Sequence, residues 1–179
     1  MKSINADVVI CGGGLSGLIC SLALSNIGIS SFCIDKSVNI KKKQIDTRST
    51  AYLKPSKEFL DNIGVWQHLS KNANPLKTLS IINSSSGFPY NNIISETKFN
   101  AVEIFQGEFG WNINNNQTKK ILLELVEKDK MINFEYDEII KIKEFDETLT
   151  VYLKNKKQIN TKLLVGADGR NSFIRKNYN

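Results

Sequence analysis

One histidine and three cysteines are the scarcest sources of reactive chemistry in the 179-residue sequence, and their scarcity removes whole classes of function. His68 is the only imidazole, and Cys11, Cys20 and Cys33 form neither a CxxC pair nor a ligand cluster, so the donor set of a structural zinc site is missing. All three cysteines fall on apolar strand or helix segments, where small core residues belong. They imply a reducing, cytoplasmic compartment rather than a disulfide framework. No apolar run approaches the ~18 residues of a membrane span. A leader peptide is not expected, because the first core strand is read as beginning at Ala6. There is no Ser-His-Asp set, no pair of catalytic carboxylates and no Walker lysine, so any chemistry has to come from a cofactor.

What is present is ordinary in amount: 41% hydrophobic and 23% charged residues, as in a globular protein. The length suits one domain, or one domain with a small lobe, burying roughly 70% of its unfolded surface. The net charge of +6 comes mostly from lysines scattered along the chain. Their one run, Lys41-Lys42-Lys43, sits in a polar stretch, and aromatic and basic residues do not alternate as a stacking groove requires. No nucleic-acid partner is expected. The basic balance favours anionic ligands such as pyrophosphate, or an anionic membrane surface.

Residues Ala6–Cys11 read as a buried parallel strand, a short run rich in valine and isoleucine. Glycines follow at 12, 13 and 14. Leu15, Leu18, Ile19, Leu22 and Ile27 then recur at helical spacing, with Gly28 as the stop. A second buried strand, Ser31–Asp35, completes a βαβ unit. Lys36–Thr47 reads as a loop, with short helices at Lys57–Leu60 and Val65–Leu69. Strands are expected at Thr78–Asn83 and Val102–Gln106, flanking a turn-rich stretch at Asn83–Asn92. A helix is expected at Asn116–Asp129. Strands at hairpin spacing follow at Asn133–Tyr136, Glu138–Phe145, Leu149–Leu153 and Gln158–Thr161. A last buried strand, Lys162–Val165, enters Gly166-Ala167-Asp168-Gly169 and a short helix to about Lys176.

Gly12-Gly13-Gly14-Leu15-Ser16-Gly17 fits G-x-G-x-x-G between a strand and a helix, the context of a dinucleotide site. In that reading Gly12 makes the tight turn, Gly14 admits the pyrophosphate to the backbone, and Gly17 lets helix and strand pack closely. The helix N-terminus then faces the diphosphate. Ser21 stands where alanine or glycine is usual, a small departure. Asp35, at the end of the second strand, is the candidate ligand of the adenosine ribose, and an acid there disfavours a 2′-phosphate. Asp168 and Gly169 form a second constellation after the last strand, in which Asp168 can accept hydrogen bonds from nucleotide hydroxyls. Taken alone this is an Asp-Gly turn; the fingerprint upstream reverses that reading. Arg48, one of three arginines, offers a rigid fork for phosphate or a flavin edge. Trp66 and Trp111 read as packing residues, and His68 is assigned no chemistry.

Four stretches carry a resemblance to a known family: DVVICGGGLSGL at 7–18, DTRSTAYLKPSKEFLDNIGVW at 46–66, FGWNINNNQTKKILLEL at 109–125 and LLVGADGRNSFIRK at 163–176. Together they resemble the FAD-dependent aromatic hydroxylases of the p-hydroxybenzoate hydroxylase type, and most of all the ubiquinone-biosynthesis hydroxylases. The resemblance implies an α/β fold: a Rossmann-type, glutathione-reductase-like FAD-binding domain with a β-meander and a partial antiparallel β substrate lobe. It implies residues 1–74 and 109–179 as two parts of the FAD-binding domain, and 75–108 as a stub of the substrate lobe. Carried across, Gly12, Gly14 and Gly17 hold the pyrophosphate, Asp35 the ribose, and Arg48 reaches the flavin. Asn115 falls where the family sets a polar side chain against FAD, and Asp168 with Gly169 forms its Asp-Gly motif.

The function implied is hydroxylation of a prenylated aromatic ubiquinone precursor with O2, with NAD(P)H as a transient co-substrate. The implied partners are that small molecule and a membrane surface or biosynthetic complex; the implied place is the cytoplasm, at the periphery of the inner membrane. The family's later Gly-Asp motif and most of its substrate sheet have no counterpart in the sequence, so an N-terminal portion of a longer parent is expected. The competing readings are another flavoprotein on the same scaffold, geranylgeranyl-reductase-like or halogenase-like, and a truncated FAD-binding fragment without catalysis. A NAD-dependent dehydrogenase is disfavoured, because no catalytic His, Lys or Tyr constellation accompanies the Rossmann unit.

Overall fold

Segments too apolar to face water on either side make the central sheet. The computed structural model describes residues 3–36, 46–85, 92–104 and 107–178. The chain begins with β1 (Ser3–Asn5), β2 (Val8–Cys11), α1 (Leu15–Asn26) and β3 (Ser31–Ile34). Next come β4 (Ser49–Leu53), α2 (Lys54–Asn62), α3 (Trp66–Leu69), β5 (Asn74–Leu76), β6 (Thr78–Ser85), β7 (Asn92–Asn100) and β8 (Gly110–Asn114). It continues through α4 (Asn115–Lys128), β9 (Ile132–Glu135), β10 (Ile139–Phe145), β11 (Thr148–Leu153), β12 (Gln158–Thr161), β13 (Leu163–Gly166) and α5 (Phe173–Asn177). These elements form two compact units, residues 1–47 with 115–179, and residues 48–114. The boundaries expected at 74/75 and 108/109 both lie within the second.

The first unit is an α/β layer structure of Rossmann type. Its sheet has the order β13–β2–β3–β9, with every neighbour parallel. All four residues of β2 and of β3 are buried because both faces are covered. Val8, Ile10 and Cys33 pack on one face with Cys20 and Leu24 of α1. Val9, Cys11, Phe32 and Ile34 pack on the other with Ile139, Val151, Leu153 and Ile159. That second face is closed by the antiparallel meander β10–β11–β12, to which β1 adds as a parallel edge strand. α1 stops at a glycine-terminated cap: Gly28, at φ +76°, donates to the Ser25 carbonyl at 2.9 Å while Ile29 donates to that of Leu24 at 3.0 Å.

In the second unit β8 pairs antiparallel with both β4 and β5. Trp66 is buried edge-on between Tyr52, at 6.5 Å, and Trp111, at 5.4 Å, so both tryptophans pack. β6 and β7 form a separate two-stranded ribbon.

Three expectations change. The strand expected at Val102–Gln106 is a 3₁₀ turn over Ala101–Ile104, with 105–106 outside the described residues. The stretch expected as turn-rich, Asn83–Asn92, gives its first residues to β6 and its last to β7; 86–91 lie outside the described residues. β7 escaped the pattern because it is exposed and its register shifts at Asn83/Ser84, so no face-to-face alternation is written into it. The strand at 132–135 does not start the meander but joins the parallel sheet beside β3. Most of the expected loop, residues 37–45, lies outside the described residues.

Candidate functional site

Strand register aligns Gly166, Cys11, Ile34 and Glu135 at one edge of the parallel sheet, so the segments after β13, β2, β3 and β9 all emerge there. Chain order reverses between β2 and β13, and the carboxyl edge at such a reversal is where open α/β sheets bind ligands. Two backbone bonds tie these segments together: Gly12 N–H donates to the Ile34 carbonyl and Ala167 N–H to the Cys11 carbonyl, each at 2.7 Å. Gly12 has φ +111°, and a side chain there would strike the Ala167 carbonyl and approach Asp168 Cα to 2.8 Å. A Cβ on Gly17 would overlap the Gly12 carbonyl. One on Gly13 would lie 2.8 Å from both Asp35 Cβ and Phe134 Cε2. Gly14 differs: its backbone is extended at φ −76°, and an added Cβ meets nothing within 4 Å. No side chain caps α1 there, and its first turn holds no acid.

Asp35 continues the β3–β9 pairing beyond the strand. Its N–H donates to the Glu135 carbonyl and its carbonyl accepts from Asp137 N–H, both at 3.1 Å. The side chain is 10% exposed, and Lys119 Nζ on α4 stands 3.5 Å from its Oδ2. Phe134 and Tyr136, edge-to-face at 5.0 Å, lie on the neighbouring β9 end. Burial, and then the Asp35 charge, push the Tyr136 hydroxyl above its ordinary pKa. Ser21 is buried and donates to the Gly17 carbonyl at 3.0 Å, which satisfies the hydroxyl that departs from the usual small residue.

Asp168 is committed to α5. Its Oδ2 accepts from the N–H groups of Phe173 at 2.6 Å and Ile174 at 3.4 Å, and Ser172 caps the helix by accepting from Arg175 N–H at 2.9 Å. Oδ1 is buried with no hydrogen-bond partner. Burial works to raise this carboxyl, but hydrogen bonds from Ser172 and the backbone outweigh it and hold the pKa below the ordinary value. Cys11 lies beside it: burial, then the Asp168 charge, push that thiol up to about 12. Burial does the same to Cys33. Both thiols therefore stay protonated and inert.

Gly12, Gly14, Gly17, Asp35, Asp168 and Gly169 thus converge on the sheet's carboxyl edge. Asn115, the first residue of α4, donates its amide to Asp46 Oδ2 at 3.2 Å, and Asn116 donates to the Asp46 carbonyl at 2.9 Å. Arg48 is exposed and belongs to the second unit. Sequence reasoning missed Gly13, which the fingerprint leaves variable, and Lys119. No linear signal pointed to the lysine, which reaches Asp35 across a sequence separation of 84. Among the described residues no group of three His, Cys, Asp or Glu could hold a metal ion. Nor, among them, is any helix long and apolar enough to cross a membrane.

Sheet order, glycine loop and strand-end acid define a dinucleotide-binding α/β protein. More narrowly, a family model described as "FAD binding domain" matches residues 5–179, and the chain belongs to that family; FAD is its cofactor. The chain is 27% identical to the FAD-dependent monooxygenase olcE of Penicillium canescens, covering 98% of itself and 36% of that protein. It is 25% identical to the ubiquinone hydroxylase UbiM of Neisseria meningitidis, covering 97% of itself and 38% of that relative. Among solved structures it is similar in fold to the p-nitrophenol 4-monooxygenase PnpA from Pseudomonas putida DLL-E4, with TM-score 0.77 at 18% identity over 98% of this chain and 43% of that one. The flavin-dependent monooxygenase PieE, solved with FAD and substrate, gives TM-score 0.77 at 17% identity over 97% and 32%. The chain therefore spans well under half the length of the relatives it matches.

Proposed function

We propose that the chain supplies the ADP-binding part of an FAD-dependent monooxygenase that hydroxylates the aromatic ring of a prenylated ubiquinone precursor with NAD(P)H and O2. The observation that carries the cofactor part is Gly14. Nothing in the packing of the described residues requires a glycine there, so the missing side chain is explained by a ligand that approaches the backbone. The buried, unpartnered Oδ1 of Asp168 on the neighbouring loop agrees, since such an atom calls for a donor. In this reading the uncapped N-terminus of α1 and the backbone at Gly12, Gly14 and Gly17 hold the diphosphate. Asp35 accepts from the ribose hydroxyls, and Asp168 with Gly169 and Asn115 serves the rest of the dinucleotide. When bound, FAD supplies the redox chemistry that couples NAD(P)H oxidation to oxygen insertion.

The prenylated substrate is supported by relatives named as ubiquinone hydroxylases, UbiM and UbiL, and as the ubiquinone biosynthesis monooxygenase COQ6. Relatives of other names match comparably, olcE among them, and make a monooxygenase for a different aromatic the second reading. The test has two stages. Titration of the chain with ADP and FAD by calorimetry should show binding that Gly14→Val abolishes with circular dichroism unchanged; unaltered affinity in that variant overturns the cofactor site. Grafting residues 1–179 in place of the matching segment of UbiM should preserve hydroxylation of a prenylated phenol. A flavin-loaded graft active only on unprenylated phenols favours the second reading.

A further inference from the structure

We propose that Lys119 is a positioning residue for the adenosine end of the site: it holds Asp35 Oδ2 beside Gly13 and so fixes the rotamer in which the carboxylate meets the ribose. The inference rests on the reading of Asp35 as the ribose ligand. The Asp35 backbone is clamped by Glu135 and Asp137. On one side the space that a Gly13 Cβ would take is 2.9 Å from Oδ2; on the other Lys119 Nζ stands at 3.5 Å.

Lys119 is not a solvated lysine that happens to lie nearby. It sits one turn into α4, close to the positive end of the helix dipole, where a cation gains nothing from the helix. Its neighbour Lys120 is exposed, whereas the Lys119 side chain is only 31% exposed, drawn toward the acid. Thr118, Leu122, Leu123 and Val126 are buried on the same helix, so the ammonium is carried by a fixed element rather than a loop. The pair also solves an electrostatic problem. A nearly buried carboxylate near a diphosphate repels the ligand it is meant to bind, and a lysine at hydrogen-bond range offsets that charge while leaving the acceptor in place.

The test is a double-mutant cycle on the 179-residue chain, read by ADP calorimetry. Lys119→Met should weaken ADP by about three- to tenfold, and Lys119→Arg should restore most of the affinity. In an Asp35→Asn background Lys119→Met should change nothing further, and binding of inorganic pyrophosphate should fall by less than that of ADP. If the loss persists undiminished in Asp35→Asn, or is equal for pyrophosphate, the lysine contacts phosphate directly and the inference is overturned. Wild-type ADP affinity in Lys119→Met overturns it as well. Should Lys119→Met not fold, Lys119→Gln takes its place in the cycle. Unchanged ADP binding in Asp35→Asn would refute the ribose reading itself, and the inference with it; a loss in Asp35→Asn with none in Lys119→Met refutes the lysine alone.

Discussion

A methyl group added at Gly17 would lie on the Gly12 carbonyl, whereas one added at Gly14 meets no atom of the described residues within 4 Å. The two alanine variants should therefore fail in different ways. Gly17→Ala forces α1 away from the strand and should lower stability by about 1–3 kcal/mol, seen as a lower unfolding midpoint in urea. Gly14→Ala should leave that midpoint within about 0.5 kcal/mol of the original and still weaken ADP binding. Equal loss of stability in both would sink the distinction between a packing glycine and a ligand glycine. At Asp35 the outcome turns on charge-assisted hydrogen bonds: Asp35→Ala should weaken ADP binding by about 1–3 kcal/mol by calorimetry. FMN, which lacks the adenosine ribose, serves as the control. If FMN affinity drops equally, the residue acts on the fold.

α5 is five residues long and too short to persist by propensity, so its existence depends on Ser172 and Asp168 satisfying its first amides. The Asp168 carboxyl is held below its ordinary value of 3.8 in the folded chain. A depressed acid contributes its stabilisation fully above the ordinary value and loses it as pH falls through the lower folded one. Hydrogen exchange of the Phe173 and Ile174 amides should therefore be protected at neutral pH and lose that protection only below about pH 4. In Asp168→Asn the protection should already be reduced at neutral pH; unchanged protection would mean that the cap is Ser172 alone. Elements of this kind also mark how far the sequence could be read. β2, α1, β3 and α4 were legible because burial on both faces, or on one stripe, writes an unbroken run or a helical period. β1 and β8 were not, since each is too short or too mixed to carry a period and exists through its partners, β12 and the pair β4 and β5. The site divided similarly: the glycines and Asp35 follow a linear pattern, while Lys119 meets Asp35 only through the packing of α4, across a sequence separation of 84.

The β6–β7 ribbon carries apolar side chains that no other strand among the described residues covers: Leu79, Ile81, Ile82, Ile93 and Ile94 are all more than half exposed, Ile94 at 65%. Such an open ribbon invites pairing between copies. Sedimentation of the chain should show association that rises with concentration, and Ile81→Thr with Ile94→Thr should suppress it without changing ADP affinity. An undiminished association would place the contact elsewhere. In the first unit the feature with the widest reach is the pairing of the earliest strands with the latest, in both of its sheets. Asn160 Nδ2 bonds Ser3 Oγ across 157 residues, and β2 lies between β3 and β13. During synthesis β2 leaves the ribosome well before β13, and the two meet only after all the elements between them have emerged. Until then Val8–Cys11 lacks its partner along one edge. Long-range pairing of this kind slows folding and exposes apolar strands to other chains. The nascent chain is therefore a natural client for chaperones that hold unfolded segments until β13 has been made.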